Sequence, residues 1–421
     1  MKSSHLLGLA AAVLGTLAGA AQPELQYVVI VSRHGVRAPT WDRTRLNQYS
    51  AQPWPEWGVA PGELTPHGRA LIELLGAYYR SWLAGEHLLD REGCGDRSRI
   101  YIYPDKDQRT VETGRAFAES LLPGCGLETR AEPDGGADPL FSGAGTPDPA
   151  LAAEAVRARL GADSGRLLAD HKEALDALRQ LLTGGKPVPK ALDPAEAIGV
   201  AATRKSFELE GPFAVASTLS EDLLLEYAEG MEGAELGWGR LTRENLFRVL
   251  GLHRVYADLM RRTPYLARAR GSNLLAHILR SMEQAVSGGR VAGAVGPAGD
   301  AVLMLCGHDT NLSNLAGMLG LSWSLPGYQP DETPPGGALI FALWRDPGDK
   351  QYFVRARFVA QTLDQMRHAE QLTVAAPPAS QELPVPGCES TPPKTACPWE
   401  RFQIAIRKAI APEFTTLSAP N

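Results

Sequence analysis

Apolar and polar positions along the first third of the chain predict strands and helices in turn. Residues 27–31 (YVVIV) and 99–103 (RIYIY) are rich in β-branched and aromatic side chains, which is typical of buried strands. Leucine and aromatic residues recur at helical spacing across 66–85, and 110–122 predicts a second helix. The order strand, helix, strand, helix favours a mostly parallel sheet with helices on its faces.

The pattern changes after a stretch rich in Gly, Pro and Asp at 134–149. From there to about residue 262 the chain is rich in Ala and Leu with helical periodicity and few strand signals, which predicts an inserted all-helical domain. Beyond it, 302–306 predicts a buried strand, while 338–345 and 351–360 predict a hairpin. We therefore expect an α/β domain interrupted by a helical one.

The first 21 residues predict a secretory signal peptide. Lys2 supplies the positive start, Leu6 to Leu17 an apolar core, and Ala18 to Ala21 small residues for cleavage. The apolar run is short for a membrane span, although a retained anchor is the alternative. We expect a mature chain from residue 21 or 22 that is periplasmic or secreted and does not contact the membrane after cleavage.

Export changes the interpretation of the five cysteines. In an oxidising compartment, close pairs predict disulfides, here Cys94 with Cys125 and Cys388 with Cys397. Cys306 is left over in an apolar run, which indicates an inert core thiol. No CxxC or HExxH spacing occurs, so the sequence gives no support for a zinc site.

Composition excludes several classes of protein. The chain has 421 residues, which suits two or three domains or one large domain with an insertion. Its 44% hydrophobic and 21% charged residues argue against disorder. The 42 Lys and Arg against 48 Asp and Glu give a net charge of −6 without a basic block, so we expect no nucleic-acid partner.

The strongest chemical signal is RHGVRAPT at 33–40, directly after the first predicted strand. Two positively charged neighbours disfavour the imidazolium form, so His34 should stay neutral and nucleophilic. Arg33 and Arg37 can hold a phosphate or a carboxylate. The alternative is a surface turn with solvated arginines and a chance histidine.

Two other strand ends carry similar chemistry. GHDTN at 307–311 follows the strand at 302–306, and DKDQRT at 105–110 follows the strand at 99–103. If these strands lie in one parallel sheet, their loops face the same side. His308 could then donate to a bound anion, Asp309 could supply a proton, and Arg109 could join the arginines. Taken singly, each segment is also explained as a helix cap with surface charge.

These three motifs make the chain resemble the histidine acid phosphatase family, especially its bacterial periplasmic acid phosphatases and phytases. The likeness extends through GWGR at 237–240, RTP at 262–264 and DETPPGG at 331–337. The resemblance implies a parallel α/β catalytic domain, residues 22–147 and 263–421, beneath a helical cap, residues 148–262. The substrate would bind between the two.

The resemblance also implies a phosphomonoester hydrolase that works through a phosphohistidine. It makes His34 the nucleophile and Asp309 the proton donor, which implies an acidic optimum. Arginines would neutralise the phosphate, so we expect no metal and no cofactor. The small-molecule substrate would meet phosphate-binding residues Arg33, Arg37, Arg109 and His308 and pocket residues Thr40, Trp41, Asp105, Glu221, Arg270 and Asp331.

The sequence departs from the phytase pattern at two positions. Trp41 stands where a Lys is common, and Thr218 where a Met is expected. Loss of a cation weakens recognition of a hexaphosphate, whereas an aromatic ring could stack on a sugar. We expect a monomeric phytase, with a glucose-1-phosphatase or broad acid phosphatase as the alternative. A phosphoglycerate-mutase-like phosphotransferase and a non-catalytic anion-binding protein are alternatives of other classes.

Overall fold

A computed structural model describes residues 22–131, 136–161, 164–187, 189–193, 197–388 and 395–416. The predicted signal peptide, residues 1–21, lies outside these described residues. Within them, no helix has both the length and the apolar character needed to cross a lipid bilayer.

The strands of the described residues form a seven-stranded sheet and a separate two-stranded sheet. They are β1 (Glu24–Arg33), β2 (Ile100–Pro104), β3 (Gly199–Ala202), β4 (Phe207–Glu210), β5 (Val302–Gly307), β6 (Ala338–Arg345), β7 (Tyr352–Ala360), β8 (Ala379–Leu383) and β9 (Ala396–Pro398).

The large sheet has the order β2-β5-β1-β6-β7-β8, with β9 also paired to β7. Parallel pairing joins β1 and β2 to β5, whereas β6 pairs antiparallel with both β1 and β7. The sheet is therefore mixed, and the predicted parallel arrangement holds for the strands that precede the chemical motifs. The antiparallel pairing of β6 with β7 follows from their short connection, because a parallel pair needs a long crossover.

Helices cover both faces of this sheet and fill the segment between the first and second halves of the α/β part. They are α1 (Arg43–Leu46), α2 (Pro66–Gly85), α3 (Gln108–Leu121), α4 (Pro139–Ser142), α5 (Pro149–Leu160), α6 (Ser164–Asp170), α7 (Lys172–Thr183), α8 (Pro212–Ala228), α9 (Arg243–Met260), α10 (Pro264–Ser287), α11 (Asp309–Leu319), α12 (Leu363–Arg367) and α13 (Trp399–Ala409).

The segment predicted to be all-helical also contains the β3–β4 hairpin, which corrects that expectation. Val200 pairs with Leu209, and both side chains are buried. β3 (GVAA) shows no alternation of apolar and polar residues, and β4 (FELE) alternates over only four residues, the shortest length at which this pattern indicates a strand. The division into a catalytic domain and a cap remains a prediction.

Alternate residues of β1 enter two different apolar cores. Val28 and Ile30 pack in the core that includes α2 and α3, while Val29 and Val31 join the core that includes the inserted helices. Successive side chains of a strand point to opposite faces, so a strand covered on both sides is apolar throughout. This packing fixes the direction of β1 and hence the position of the motif at its end.

Both predicted disulfides are present. Cys94–Cys125 joins the chain before β2 to the chain after α3, and Cys388–Cys397 joins β9 to the segment after β8. Cys306 is a free thiol with no exposed surface on β5, in agreement with the prediction of a core thiol.

Candidate active site

The carboxyl ends of β1, β5 and β2 lie side by side at one edge of the sheet. Arg33 is in register with Gly307, and Pro104 with Cys306. The backbone N–H of His34 donates to the Gly307 carbonyl at 3.0 Å. Because these strands are parallel, the three motifs that follow them converge, as the sequence predicted.

His34 is buried, with 2% of its surface exposed, and its ring centroid lies 5.6 Å from that of His308. Its Nδ1 is 2.8 Å from the Gly35 carbonyl oxygen. A carbonyl can only accept, so Nδ1 carries the proton and Nε2 keeps its lone pair. Burial, followed by the charges of Arg33 and Arg37, holds the pKa of His34 well below its ordinary value. The imidazole is therefore neutral and nucleophilic.

Gly35 is required by packing beside the nucleophile. A Cβ at this position would lie 2.9 Å from the Leu64 and Ile72 side chains, closer than such atoms approach. The Gly35 N–H donates to Thr113 Oγ1 at 3.0 Å, which ties the loop to α3. The glycine thus lets α2 approach the motif and fixes the backbone that carries His34.

Arg33 and Arg37 share a buried carboxylate. Arg33 Nη1 donates to the Thr333 carbonyl at 2.6 Å, and Arg33 Nη2 pairs with Glu221. Arg37 Nη2 lies 3.5 Å from Glu221 Oε2. Burial alone would raise the pKa of Glu221, but the two guanidinium groups hold it at about 2. Glu221, predicted to contact substrate, is positioned to hold the two arginines in place.

The third guanidinium comes from Arg109 at the start of α3. His308 Nε2 lies 2.7 Å from Asp105 Oδ2, so this nitrogen donates, and Arg109 Nη2 lies 3.4 Å from His308 Nδ1. Arg109 also pairs with Asp107 at 2.6 Å. Asp105 thereby orients His308 while Arg109 extends the positively charged surface around His34.

Asp105, Asp107 and His308 are also spaced so that a metal ion could be held, since one ligand atom from each lies within 4.8 Å of the others. The local chemistry does not fit a cation. His308 Nε2 would have to lose the proton that it donates to Asp105, and the Arg109 guanidinium already occupies the same electrostatic position.

Asp309 begins α11 and forms an ion pair with Arg261, the residue directly after α9. Its Oδ2 lies 4.0 Å from His253 Nε2. Burial would raise the pKa of Asp309, but Arg261, followed by Arg33, outweighs it and holds the pKa well below its usual range. Sequence reasoning did not select Arg261 or His253. Arg261 stands one residue before the shared RTP segment, which was the only sequence signal.

Thr40 and Trp41 lie at the edge of this cluster. A methyl group on Gly62 would lie 3.7 Å from both Thr40 Cγ2 and Arg109 Nη1, so both side chains approach the Gly62 backbone. Trp41 stacks under Arg45, whose guanidinium carbon is 3.7 Å from the ring centroid.

Arg270 and Asp331, both predicted to line the pocket, contact different parts of the structure. Arg270 lies 5.8 Å from the Phe207 ring, and burial, partly offset by Tyr256 and reinforced by the charge of Arg261, lowers its pKa. It is therefore near Arg261. Asp331 accepts from the Trp323 N–H at 3.0 Å and lies 3.6 Å from Arg262. These contacts give Asp331 a role in a turn, while the neighbouring Glu332 faces His253.

Comparison with known proteins identifies relatives over nearly the whole chain. Residues 24–193 and 172–359 match the family described as histidine phosphatase superfamily, branch 2. The chain is 36% identical over 409 residues to phytase AppA of Escherichia coli, covering 93% of this chain and 94% of the relative. It is 30% identical over 422 residues to a glucose-1-phosphatase of Salmonella typhimurium, covering 97% and 100%. A solved structure of Hafnia alvei phytase in complex with myo-inositol hexakis sulphate superposes with a TM-score of 0.84 at 33% identity, covering 94% of this chain and 99% of that one.

Proposed function

Since this chain belongs to the histidine phosphatase superfamily, we propose that it is a phytase, a phosphomonoester hydrolase that removes phosphate stepwise from inositol hexakisphosphate. The observation that carries the proposal is the environment of His34. This neutral imidazole is buried at the end of β1, where the positive charges of Arg33, Arg37 and Arg109 further lower its pKa. Such a site attracts a phosphate dianion and leaves a nucleophile free to attack it.

In the proposed first step, His34 Nε2 attacks the phosphorus atom in line with the ester bond. The guanidinium groups of Arg33, Arg37 and Arg109 hold the phosphoryl oxygens and stabilise the charge of the transition state. Asp309 gives its proton to the leaving oxygen, and the alcohol departs. Water then attacks the phosphohistidine, and Asp309 accepts the proton of that water.

Asp309 must carry a proton before this step, whereas Arg261 favours its ionised form in the free site. A bound phosphate dianion opposes that effect because it adds negative charge beside Asp309. Low pH favours the same protonated form. The proposal therefore includes an acidic optimum.

The edge of the site bears on the choice of substrate. Trp41 replaces a common lysine, but Arg45 stacks on its ring and so restores a positive charge next to Trp41. A substrate with several phosphates gains from this charge. The Trp41 ring itself favours the second candidate, a glucose-1-phosphatase, because an indole can stack on a sugar. One relative of the chain carries that activity in its name.

The proposal includes export to the periplasm or the medium. Two disulfides support it, because such bonds persist in oxidising compartments. We further propose that the protein acts as a monomer on a small-molecule phosphomonoester bound between residues 148–262 and the α/β part.

The test is phosphate release at acidic pH, with EDTA present, from phytate, glucose 1-phosphate and 4-nitrophenyl phosphate. A higher kcat/KM for phytate than for glucose 1-phosphate is expected. The reverse order assigns the second candidate. Transfer of phosphate between sugars without release of phosphate would indicate a phosphotransferase, and phosphate binding without turnover would indicate an anion-binding protein.

A further inference from the structure

We propose that Glu332 and His253 form a proton relay that supplies Asp309. The proposal rests on the proposed function, because it assigns a proton source to the donor of that reaction. Neither relay residue needs to touch the substrate, and both act through Asp309.

The geometry places His253 between two carboxyl groups. His253 Nε2 lies 3.8 Å from Glu332 Oε1 and 4.0 Å from Asp309 Oδ2. Its Nδ1 lies 3.2 Å from Ser217 Oγ and 3.4 Å from the Ser217 carbonyl oxygen. The carbonyl can only accept, so Nδ1 carries a proton and Nε2 can receive one.

The groups of the relay are buried and incompletely bonded. His253 and Glu332 are each 3% exposed. In the part of the chain that the structure describes, His253 Nε2 and both Glu332 carboxyl oxygens lack a hydrogen-bond partner. Unsatisfied buried polar atoms are costly, and they call for a functional or structural explanation. Movement of roughly 1 Å would bring each carboxyl oxygen within hydrogen-bond distance of Nε2.

The two carboxyl groups have opposite proton affinities. Burial raises the pKa of Glu332, although His253 and Arg33 oppose the effect. Asp309 is also buried, yet Arg261 holds its pKa well below the usual range. In the free site Glu332 therefore binds a proton more tightly than an ordinary glutamate, and Asp309 binds one more weakly than an ordinary aspartate.

Other charged groups contribute to this difference. The groups that face Asp309 are His253 on α9, Arg261 directly after α9, Arg33 on β1, Arg109 on α3, Glu221 on α8, and Glu332. Those that face Glu332 are His253, Arg33, Glu221, Asp309 and Tyr328.

A bound phosphate dianion changes the balance because it competes for the positive charge that stabilises ionised Asp309. The Glu332 carboxyl then gives its proton to His253 Nε2, and the same nitrogen passes it to Asp309 Oδ2. Glu332 loses one proton, Asp309 gains one, and His253 ends unchanged. Asp309 protonates the departing alcohol as the P–O bond breaks and the N–P bond to His34 forms. The proton of the attacking water later returns along the same path to Glu332.

The test compares esters that do and do not need a proton on the leaving group. Glu332→Gln keeps the shape of the side chain but has no acidic proton. We expect kcat for glycerol 2-phosphate to fall about tenfold more than kcat for 4-nitrophenyl phosphate, because general acid catalysis matters only for the alkoxide. The alkaline limb of kcat for glycerol 2-phosphate should move to lower pH. Glu244→Gln, an exposed change on α9, is the matched control and should leave the ratio of the two rates unaltered.

His253→Gln tests the relay independently, since it keeps Glu332 and interrupts the path. We again expect kcat to fall further for glycerol 2-phosphate than for 4-nitrophenyl phosphate. Glu332→Asp keeps a carboxyl group and should retain part of the activity on glycerol 2-phosphate that Glu332→Gln loses. Equal losses on both esters, or a wild-type ratio in either folded variant, overturns the relay. A wild-type protein that hydrolyses neither ester instead overturns the proposed function, so the two failures are distinct.

Discussion

The carboxylate of Glu221 on α8 forms a buried ion pair with the guanidinium of Arg33 at the end of β1. The pair connects the inserted helices to the strand that carries the nucleophile. Both side chains are at least nine-tenths buried, so the attraction is weakly screened and the desolvation cost is high. This link makes the geometry of the site depend on how α8 is packed against the sheet.

Glu221→Gln should destabilise the protein by roughly 3 kcal/mol at neutral pH, because it leaves a buried guanidinium without its partner. The folded pKa of Glu221 is about 2, compared with 4.5 for an ordinary glutamate. Its contribution to stability is therefore present above pH 4.5 and is lost as the pH falls toward 2. Urea unfolding between pH 7 and pH 3 measures both effects. If the free energy of unfolding of the variant falls with decreasing pH as steeply as that of the wild type, Glu221 is not the group responsible.

Asp222 should produce the opposite pH dependence. Burial, opposed by Arg37 and reinforced by Glu221, raises its pKa from 3.8 to about 8. The folded state thus holds a proton that the unfolded state releases, and this contribution declines as the pH rises from 3.8 to about 8. Asp222→Asn should flatten that decline in the free energy of unfolding. Asp170→Asn, at an exposed position, is the control, and an equal slope in both variants counts against the interpretation.

His34→Ala should reduce kcat roughly 10⁴-fold or more on every phosphomonoester, because a covalent step loses its nucleophile. Thermal unfolding of the variant, compared with that of the wild-type protein, establishes that the loss occurs in folded protein. Acid-quenched wild-type enzyme should carry labelled phosphate from a radioactive substrate, and the variant should carry none. Near-normal turnover by the folded variant rules out the phosphohistidine.

Asp309→Asn should slow the hydrolysis of an ester to an extent that depends on its leaving group. An alkoxide needs a proton and 4-nitrophenolate does not, so we expect a loss of about 10²-fold or more on glycerol 2-phosphate and a smaller one on the aryl ester. Steady-state kcat values for both esters, determined for the same preparation, provide the measurement. Identical losses would show that Asp309 does not act as the acid.

Arg45→Ala should lower kcat/KM for phytate about two- to fivefold, since one exposed charge pair between Arg45 and a substrate phosphate contributes at most about 1 kcal/mol. Glucose 1-phosphate carries a single phosphate and should be affected less. Arg43→Ala is the matched control, because Arg43 lies on the same helix but pairs with Glu56. If the two arginine variants behave alike, the stack on Trp41 does not select the substrate.

The elements that carry the chemistry were predictable from the sequence. The apolar run before RHGVRAPT became β1, and the runs before DKDQRT and GHDTN became β2 and β5. Runs of this kind specify strands locally, and parallel strands bring their carboxyl ends together. The β3–β4 hairpin was missed because β3 shows no alternation and β4 alternates over only four residues. The antiparallel β6–β7 hairpin was predicted from its turn, whereas the pairing of β1 with β6 joins strands that are distant in the chain.

The sequence by itself determined the family, the fold class and the groups at the strand ends, because these follow from local pattern and a specific motif. It could not determine which distant side chains would meet them. Glu221 was predicted to lie in the pocket, but Arg261, His253 and Glu332 were not. These three side chains come from two separate segments, and only tertiary packing brings their charges within reach of Asp309. The tertiary structure therefore decided which carboxyl groups are ionised, since burial and neighbouring charge depend on distances in space and not on spacing along the chain.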